Sequence, residues 1–308
     1  MPVIEVESPG LLTTVQDLGR PGYGHLGVTP CGAADPVALR LGNRLVGNPE
    51  SAAALEMTLA GGRFSFPDGA VVALAGADFE GPPSWATLEV SPGQTLSVGL
   101  ARRGARCYLC VRGGIRVPLW LGSASTHLAC GLGGYKGRRL QRGDVLEVAT
   151  VEGAWRPRGL SQRAREQFGP SKTLRLTTGP EWARFDGGAR KTLLSETYRV
   201  TEDSDRAGLR LTGPPLATRG FERMITEGVD LGAVQVPLSG QPIVLFVEQQ
   251  TTGGYPRIAV VASADVFRVG QLKPGDEVRF ALVSLEEAVA LAREQERLLA
   301  SEEFLFAD

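Results

Sequence analysis

Leu140–Gln–Arg–Gly–Asp144–Val–Leu–Glu–Val148 and Leu272–Lys–Pro–Gly–Asp276–Glu–Val–Arg–Phe280 share one form, Leu-x-x-Gly-Asp followed by a strand. Each stands late in its half of the chain. Ser91–Pro–Gly–Gln–Thr–Leu–Ser–Val98 is a weaker third instance. Gly and Asp are common turn formers in any fold, so one copy would carry little. Two copies at matching positions point to two β-barrel-like units of related design.

Composition agrees with that reading. The chain has 308 residues, enough for two domains. Its 40 glycines and 20 prolines favour many turns, hence short strands rather than long helices. Short apolar runs recur at Val71–Leu74, Thr87–Val90, Thr95–Val98, Cys107–Val111 and Val145–Val148, split by turn residues. Around 152–170 arginine and polar residues take over. The expected division is therefore a β domain over 1–155, a connector over 156–171 and a second β domain over 172–308. The second domain ends in a helix opened by the capping box Ser284–Leu–Glu–Glu287. Asp35–Pro36 opens an earlier helix, which Gly47–Asn–Pro49 stops.

Several function classes are excluded. A net charge of −1 with dispersed arginines gives no field for nucleic acid. No apolar run approaches the roughly 20 residues that span a membrane. The N-terminus lacks a signal-peptide pattern, and four cysteines do not make a disulfide scaffold at this length. A cytoplasmic location is expected. Two histidines cannot build a multi-histidine metal centre, so no metal is expected. Cys107–Tyr–Leu–Cys110 has CxxC spacing but lies in a strand, where residues three apart face opposite sides. Cys31, in a turn before the Asp35 cap, reads as a small turn residue or a thiol beside a helix N-terminus. Gly131–Leu–Gly–Gly134–Tyr–Lys136 lacks the spacing of a nucleotide-binding phosphate loop.

Polar clusters are what remain. Leu11–Val28 mixes polar and apolar residues with many turn formers and reads as a long structured loop carrying Thr14, Gln16, Asp17, Arg20 and His25. Arg112 precedes Gly113–Gly114, and Asp205–Arg206 precedes a strand; arginine suits bidentate capture of a carboxylate. Gln249–Gln250–Thr251–Thr252–Gly253–Gly254–Tyr255–Pro256 joins two apolar strands, Pro242–Val247 and Ile258–Ala262. It reads either as a decorated hairpin turn or as a ligand loop, since glycines admit close backbone approach and Gln and Thr supply donors and acceptors.

Taken together, Pro9–Gly22, Arg40–Pro49, Val111–Ile115, Ser204–Leu211 and Gln250–Pro256 resemble the biotin-dependent carboxyltransferase family, also called the KipA or allophanate-hydrolase-subunit-2 family. The resemblance spans nearly the whole chain. It implies a mainly β fold of two cyclophilin-like β-barrel domains with a few peripheral helices. Within the family, a chain of this length is most similar to the C subunit of prokaryotic ATP-dependent 5-oxoprolinase, which opens 5-oxo-L-proline to L-glutamate. The partners implied by that branch are a LamB/YcsF-like A subunit, together with a KipI-like B subunit. ATP would be used by the complex at a site not located in this chain. The resemblance leaves two other readings open: a carboxyltransferase component moving carboxyl from biotin to urea or a similar amide, and a KipA-type regulator binding a KipI-like kinase inhibitor. Under the 5-oxoprolinase reading the substrate, a small amide or carboxylate, would meet residues drawn from Thr14, Gln16, Asp17, Arg20, Arg112, Asp205, Arg206, Gln250, Thr251, Thr252, Gly253, Gly254 and Tyr255. Catalytic residues are not identified. The chain departs from the family pattern at Cys31 and Ala34, at Ala207, and at Glu248–Gln249, where Asp-Arg is usual.

Overall fold

The computed structural model describes residues 1–218, 220–221 and 224–306. The chain is mainly β, as its turn-rich composition predicts, and divides into two compact units. The first comprises Met1–Arg20, Cys31–Gly169 and the tail from Ser301; the second comprises Pro21–Pro30 and Pro170–Ala300. Three segments thus fall differently from the expected division. Most of the expected connector belongs to the first unit, the tail returns to it, and residues 21–30 belong to the second.

Ten strands build the first unit: β1 (Val3–Ser8), β2 (Leu12–Gln16), β3 (Ala54–Thr58), β4 (Arg63–Phe66), β5 (Ala70–Phe79), β6 (Thr87–Val90), β7 (Gln94–Ser97), β8 (Ala101–Val111), β9 (Ile115–Arg116) and β10 (Val145–Val148). They pair into two five-stranded sheets, ordered β7-β4-β1-β10-β9 and β2-β3-β8-β5-β6. The odd N-terminal stretch is thus a strand, β2, before it becomes a loop. Alternation along β8 divides the core in two. Cys107, Leu109 and Val111 join Ile4, Phe64 and Leu146, whereas Tyr108 and Cys110 face Leu39 of helix α1 (Pro36–Leu45). The CxxC pair is therefore split between opposite faces, as strand periodicity requires. Burial pushes the Cys107 thiol up to about 12 and the Cys110 thiol up further.

Helix α1 starts where the sequence says it should: Asp35 accepts from the Ala38 N–H at 2.8 Å, and Pro36 fills the first position. Gly42 lies directly on the sheet, where a Cβ would come within 2.7 Å of Cys110 Sγ. A second helix, α2 (Gln162–Gln167), occupies the expected connector. It packs in the first unit because Phe304 meets Phe168 edge-on at 6.3 Å and Ser161 N–H donates to the Leu305 carbonyl at 2.7 Å.

In the second unit the strands are β11 (Thr173–Thr178), β12 (Tyr198–Val200), β13 (Gly208–Thr212), β14 (Glu227–Gly228), β15 (Ala233–Gln235), β16 (Ile243–Leu245), β17 (Thr252–Gly253), β18 (Arg257–Val261) and β19 (Glu277–Leu282). Seven of them close into a barrel, ordered β11-β18-β15-β16-β13-β12-β19. The parallel pairing of β11 with β19, from Thr173↔Arg279 to Leu176↔Leu282, completes the ring and removes the sheet edges. Strands β16 and β18 are not neighbours, because β15 lies between them. The segment joining them is therefore not a hairpin. It must cross the end of β15, and on the way it forms β17, which pairs with β14.

The repeated turn has the same backbone geometry in both units. Gly143 and Gly275 have φ of 87° and 88°. Asp144 accepts from Gln141 N–H (2.7 Å), and Asp276 accepts from Lys273 N–H (3.1 Å). Each turn then locks to a strand through Gly143 N–H to Val6 O (2.8 Å) and Gly275 N–H to Val200 O (2.9 Å). Left-handed φ explains why glycine precedes the aspartate in both.

Candidate binding site

The loop between β16 and β18 rests on a buried ion pair. Arg206 Nε meets Glu248 Oε1 at 2.5 Å, and both side chains are 6% exposed. Glu248 N–H also donates to the Arg206 carbonyl at 2.8 Å. Asp205 turns back on its own backbone, accepting from Ala207 N–H (2.8 Å) and Gly208 N–H (3.1 Å). Arg206 thus lies at the base of the loop, while Asp205 is exposed and shapes its own turn. Gln249 also faces inward. With its amide turned to the orientation its neighbours require, its oxygen accepts from Leu231 N–H at 3.1 Å and its nitrogen donates to the Phe246 carbonyl. From the 21–30 segment, Thr29 Oγ1 donates to Val247 O at 3.2 Å, tying that segment to the turn that follows β16 and leads into the loop.

Beyond Gln249 the loop turns outward. Gln250, Thr252, Gly254 and Tyr255 are exposed, Tyr255 by 49%. Gln250 Nε2 donates to Gln235 Oε1 at 3.3 Å. Gln235 is 1% exposed, and its Nε2 has no hydrogen-bond partner among the described residues. Gly253 sits on that amide, since a Cβ there would lie 2.6 Å from Gln235 Nε2. The Thr251 carbonyl accepts from Val229 N–H (3.1 Å). Arg257 closes the far end. It binds Glu181 through Nε (3.1 Å) and Nη2 (3.0 Å), Glu227 through Nη2 (2.6 Å) and the Gly228 carbonyl through Nη1 (2.9 Å). Burial pushes the Glu181 carboxyl up, but the hydrogen bonds and charge of Arg257 together hold it below its usual range. The result is a short polar rim over a buried amide, fixed at both ends by arginine–carboxylate pairs.

In the first unit, the candidates of the N-terminal motif form a sealed network. Asp17 accepts from Ser123 Oγ (2.6 Å), Ser125 Oγ (2.6 Å), Ala124 N–H (2.6 Å) and Gly19 N–H (2.8 Å). Arg20, 1% exposed, donates to the carbonyls of Trp120 (3.3 Å) and Ser125 and lies 4.9 Å over the Trp120 ring. Gln16 Nε2 donates to Thr14 Oγ1 (3.0 Å) and Thr126 O (3.2 Å). Gln16 Oε1 and Arg20 Nη1 are buried without hydrogen-bond partners among the described residues. These four residues fasten the 120–126 segment along the free edge of β2. Gly133 and Gly134 press on the same segment: a Cβ would meet Ser125 O at 2.2 Å and Thr126 Oγ1 at 1.9 Å, so they pack rather than cradle phosphate.

Arg112 joins two of the sequence motifs. Its Nη1 donates to the Val46 carbonyl (3.1 Å) beyond the end of α1, while Asn48 holds Gly113 N–H (2.8 Å) and Val111 O (2.8 Å). His25 is exposed on a short turn. Among the described residues, no group of three or more His, Cys, Asp or Glu side chains could hold a metal, and no helix is long and apolar enough to cross a membrane. Sequence reasoning missed Gln235, Glu181 and Arg257. The only signal for Gln235 was one amide in the apolar run Ala233–Val236.

Comparison with known proteins gives one consistent answer. Residues 26–282 match the model of the carboxyltransferase domain, subdomains A and B. The chain is 37% identical to the C subunit of 5-oxoprolinase from Escherichia coli over 302 residues, covering 96% of each chain. It is 36% identical to the urea amidolyase of Saccharomyces cerevisiae, covering 97% of this chain but 18% of that protein. The crystal structure of the K. lactis urea amidolyase superimposes with a TM-score of 0.88 at 31% identity, over 98% of this chain and 20% of that one. The chain spans 20% of the K. lactis urea amidolyase chain and 56% of the solved TTHA0988 chain. The match over most of the chain, with the same fold, shows that this protein belongs to the carboxyltransferase domain family, subdomains A and B.

Proposed function

We propose that the chain acts as the C subunit of an ATP-dependent 5-oxoprolinase complex that opens 5-oxo-L-proline to L-glutamate. The carrying observation is that the match to the C subunit of 5-oxoprolinase covers 96% of both chains. The exposed rim of the 250–255 loop supports it. A lactam offers one N–H and one carbonyl, and Gln250 and Thr252 can each donate and accept. Gln235, Arg206–Glu248 and Arg257 position those groups without touching the ligand. Asp17 and Arg20 are structural in this reading, and Arg112 is left for another role. In this reading the complex uses ATP together with two partners, one KipI-like and the other LamB/YcsF-like, at a site not located in this chain; Gly133 and Gly134, which press on Ser125 and Thr126, give no support to a phosphate cradle here. The complex works in the cytoplasm.

Reconstitution tests this. The three proteins together should hydrolyse ATP only with 5-oxoproline present, and omitting this chain should abolish the coupling. Unchanged activity without it would refute the assignment. A second reading, carboxyl transfer from biotin to urea or a similar amide, draws on the likeness to urea amidolyase. In that reading biotin arrives on another protein, and avidin blocks the reconstituted reaction; no effect of avidin excludes it.

A further inference from the structure

A cleft of about 330 Å³ in the first unit is lined by Leu45, Val46, Gly47, Val71, Arg112, Ala154, Trp155, Arg156 and Arg158. Three arginines and a tryptophan are among the residues that line it, and no Asp or Glu is. Their commitments differ. Arg112 spends donors on two carbonyls, Val46 (3.1 Å) and Gly153 (3.3 Å), which fix its fork at the wall. Arg158 lies 4.9 Å over the Phe306 ring and 3.7 Å from Glu302, a loose pair that Glu302 shares with Arg44. Arg156 is exposed and makes no hydrogen bond or ion pair among the described residues. A guanidinium has five N–H donors, so each of the three retains capacity. Leu45, Val46 and Val71 give an apolar floor. Trp155 is half-buried, with part of it packed on the α1 core.

Like charges gathered on one side of a concave surface raise the local potential and favour an anion of matching shape. Arginine forks pair bidentately with carboxylate or phosphate, and an indole offers a face to an apolar body. We infer that this cleft binds a small oxyanion, a phosphate or carboxylate carried on an apolar or aromatic body. Arg112 is the preset wall, and Arg156 is the group that closes on the ligand. The inference does not depend on the 5-oxoprolinase assignment, because the cleft shares no residue with the 250–255 loop.

Calorimetric titration of the full chain at low ionic strength tests it, with phenyl phosphate, benzoate and inorganic phosphate as probes. At least one aromatic oxyanion should bind at submillimolar Kd, and more tightly than inorganic phosphate. Phenyl phosphate over benzoate would identify phosphate as the recognised group; the reverse would identify carboxylate. Arg156→Glu should weaken binding at least tenfold with unchanged circular dichroism, because Arg156 is exposed and makes no hydrogen bond or ion pair among the described residues. Arg142→Glu makes the same charge change at another exposed arginine and should leave binding within twofold. Absence of binding by any probe, or equal loss in both variants, would overturn the proposal.

Discussion

Arg206 and Glu248 are buried as a pair, so each depends on the other for its charge. Removing one member strands an uncompensated ion, which typically costs about 3–5 kcal/mol. Glu248→Ala should therefore lower the urea midpoint strongly, and a shift within error would mean that Arg206 finds another acceptor. Thr252 is the opposite case. It is exposed and outside the core, so Thr252→Val changes little but a hydroxyl. The variant should keep its Tm within about 1 °C while activity of the reconstituted complex falls about tenfold, or about 1.4 kcal/mol. Retained activity would place the ligand elsewhere. The sequence marked Arg206 and Thr252 alike, as polar members of motifs. Burial alone divides them into one that supports the loop and one that faces solvent.

Among the elements, the clamp of β18 makes a prediction about pH. Burial raises the Glu181 carboxyl, Arg257 lowers it, and the net folded value lies below the ordinary one. A depressed folded pKa contributes stability that is fully present above the unfolded value of about 4.3 and is lost as pH falls through the folded value. Glu181→Gln should be less stable than the parent at pH 7, and the gap should narrow as pH drops below about 4. Urea midpoints between pH 7 and pH 3 check this; a constant gap would show that the pair is not linked to protonation. Caps and turns were readable at this scale because they are local. Asp35–Pro36, the Ser284–Glu287 box (2.7 and 3.1 Å) and the paired Gly-Asp turns all form where their residues stand. The crossing loop was not readable as such. Two apolar strands with a turn between them look like a hairpin until it is known that β15 comes between them.

For the whole molecule, the tail from Ser301 is a test of unit membership. Leu305 is fully buried, and Phe304 and Phe306 pack on α2 and on Arg158. Ending the chain at Ala300 should uncover Leu160, Ala164 and Phe168. A buried apolar side chain of this size contributes about 1.5–3 kcal/mol, so a loss of about 3 kcal/mol and several degrees in Tm is expected. Calorimetry measures it, and an unchanged transition would show that the tail adds nothing to the first unit.

The sequence by itself determined the mainly β character, the two-unit design, the caps and turns, and the family, because composition, short-range spacing and long motifs all act locally along the chain. Only the tertiary structure decided that residues 21–30 and the tail change units, that one set of strands closes into a barrel while the other makes two sheets, and that Asp17 and Arg20 are sealed in while Gln250 and Thr252 stand out. Those outcomes depend on which distant strands pair and which polar groups end up buried together. Such non-local contacts leave no periodicity behind, and so Gln235, one amide in an apolar strand, gave little sign that it would lie beneath the loop.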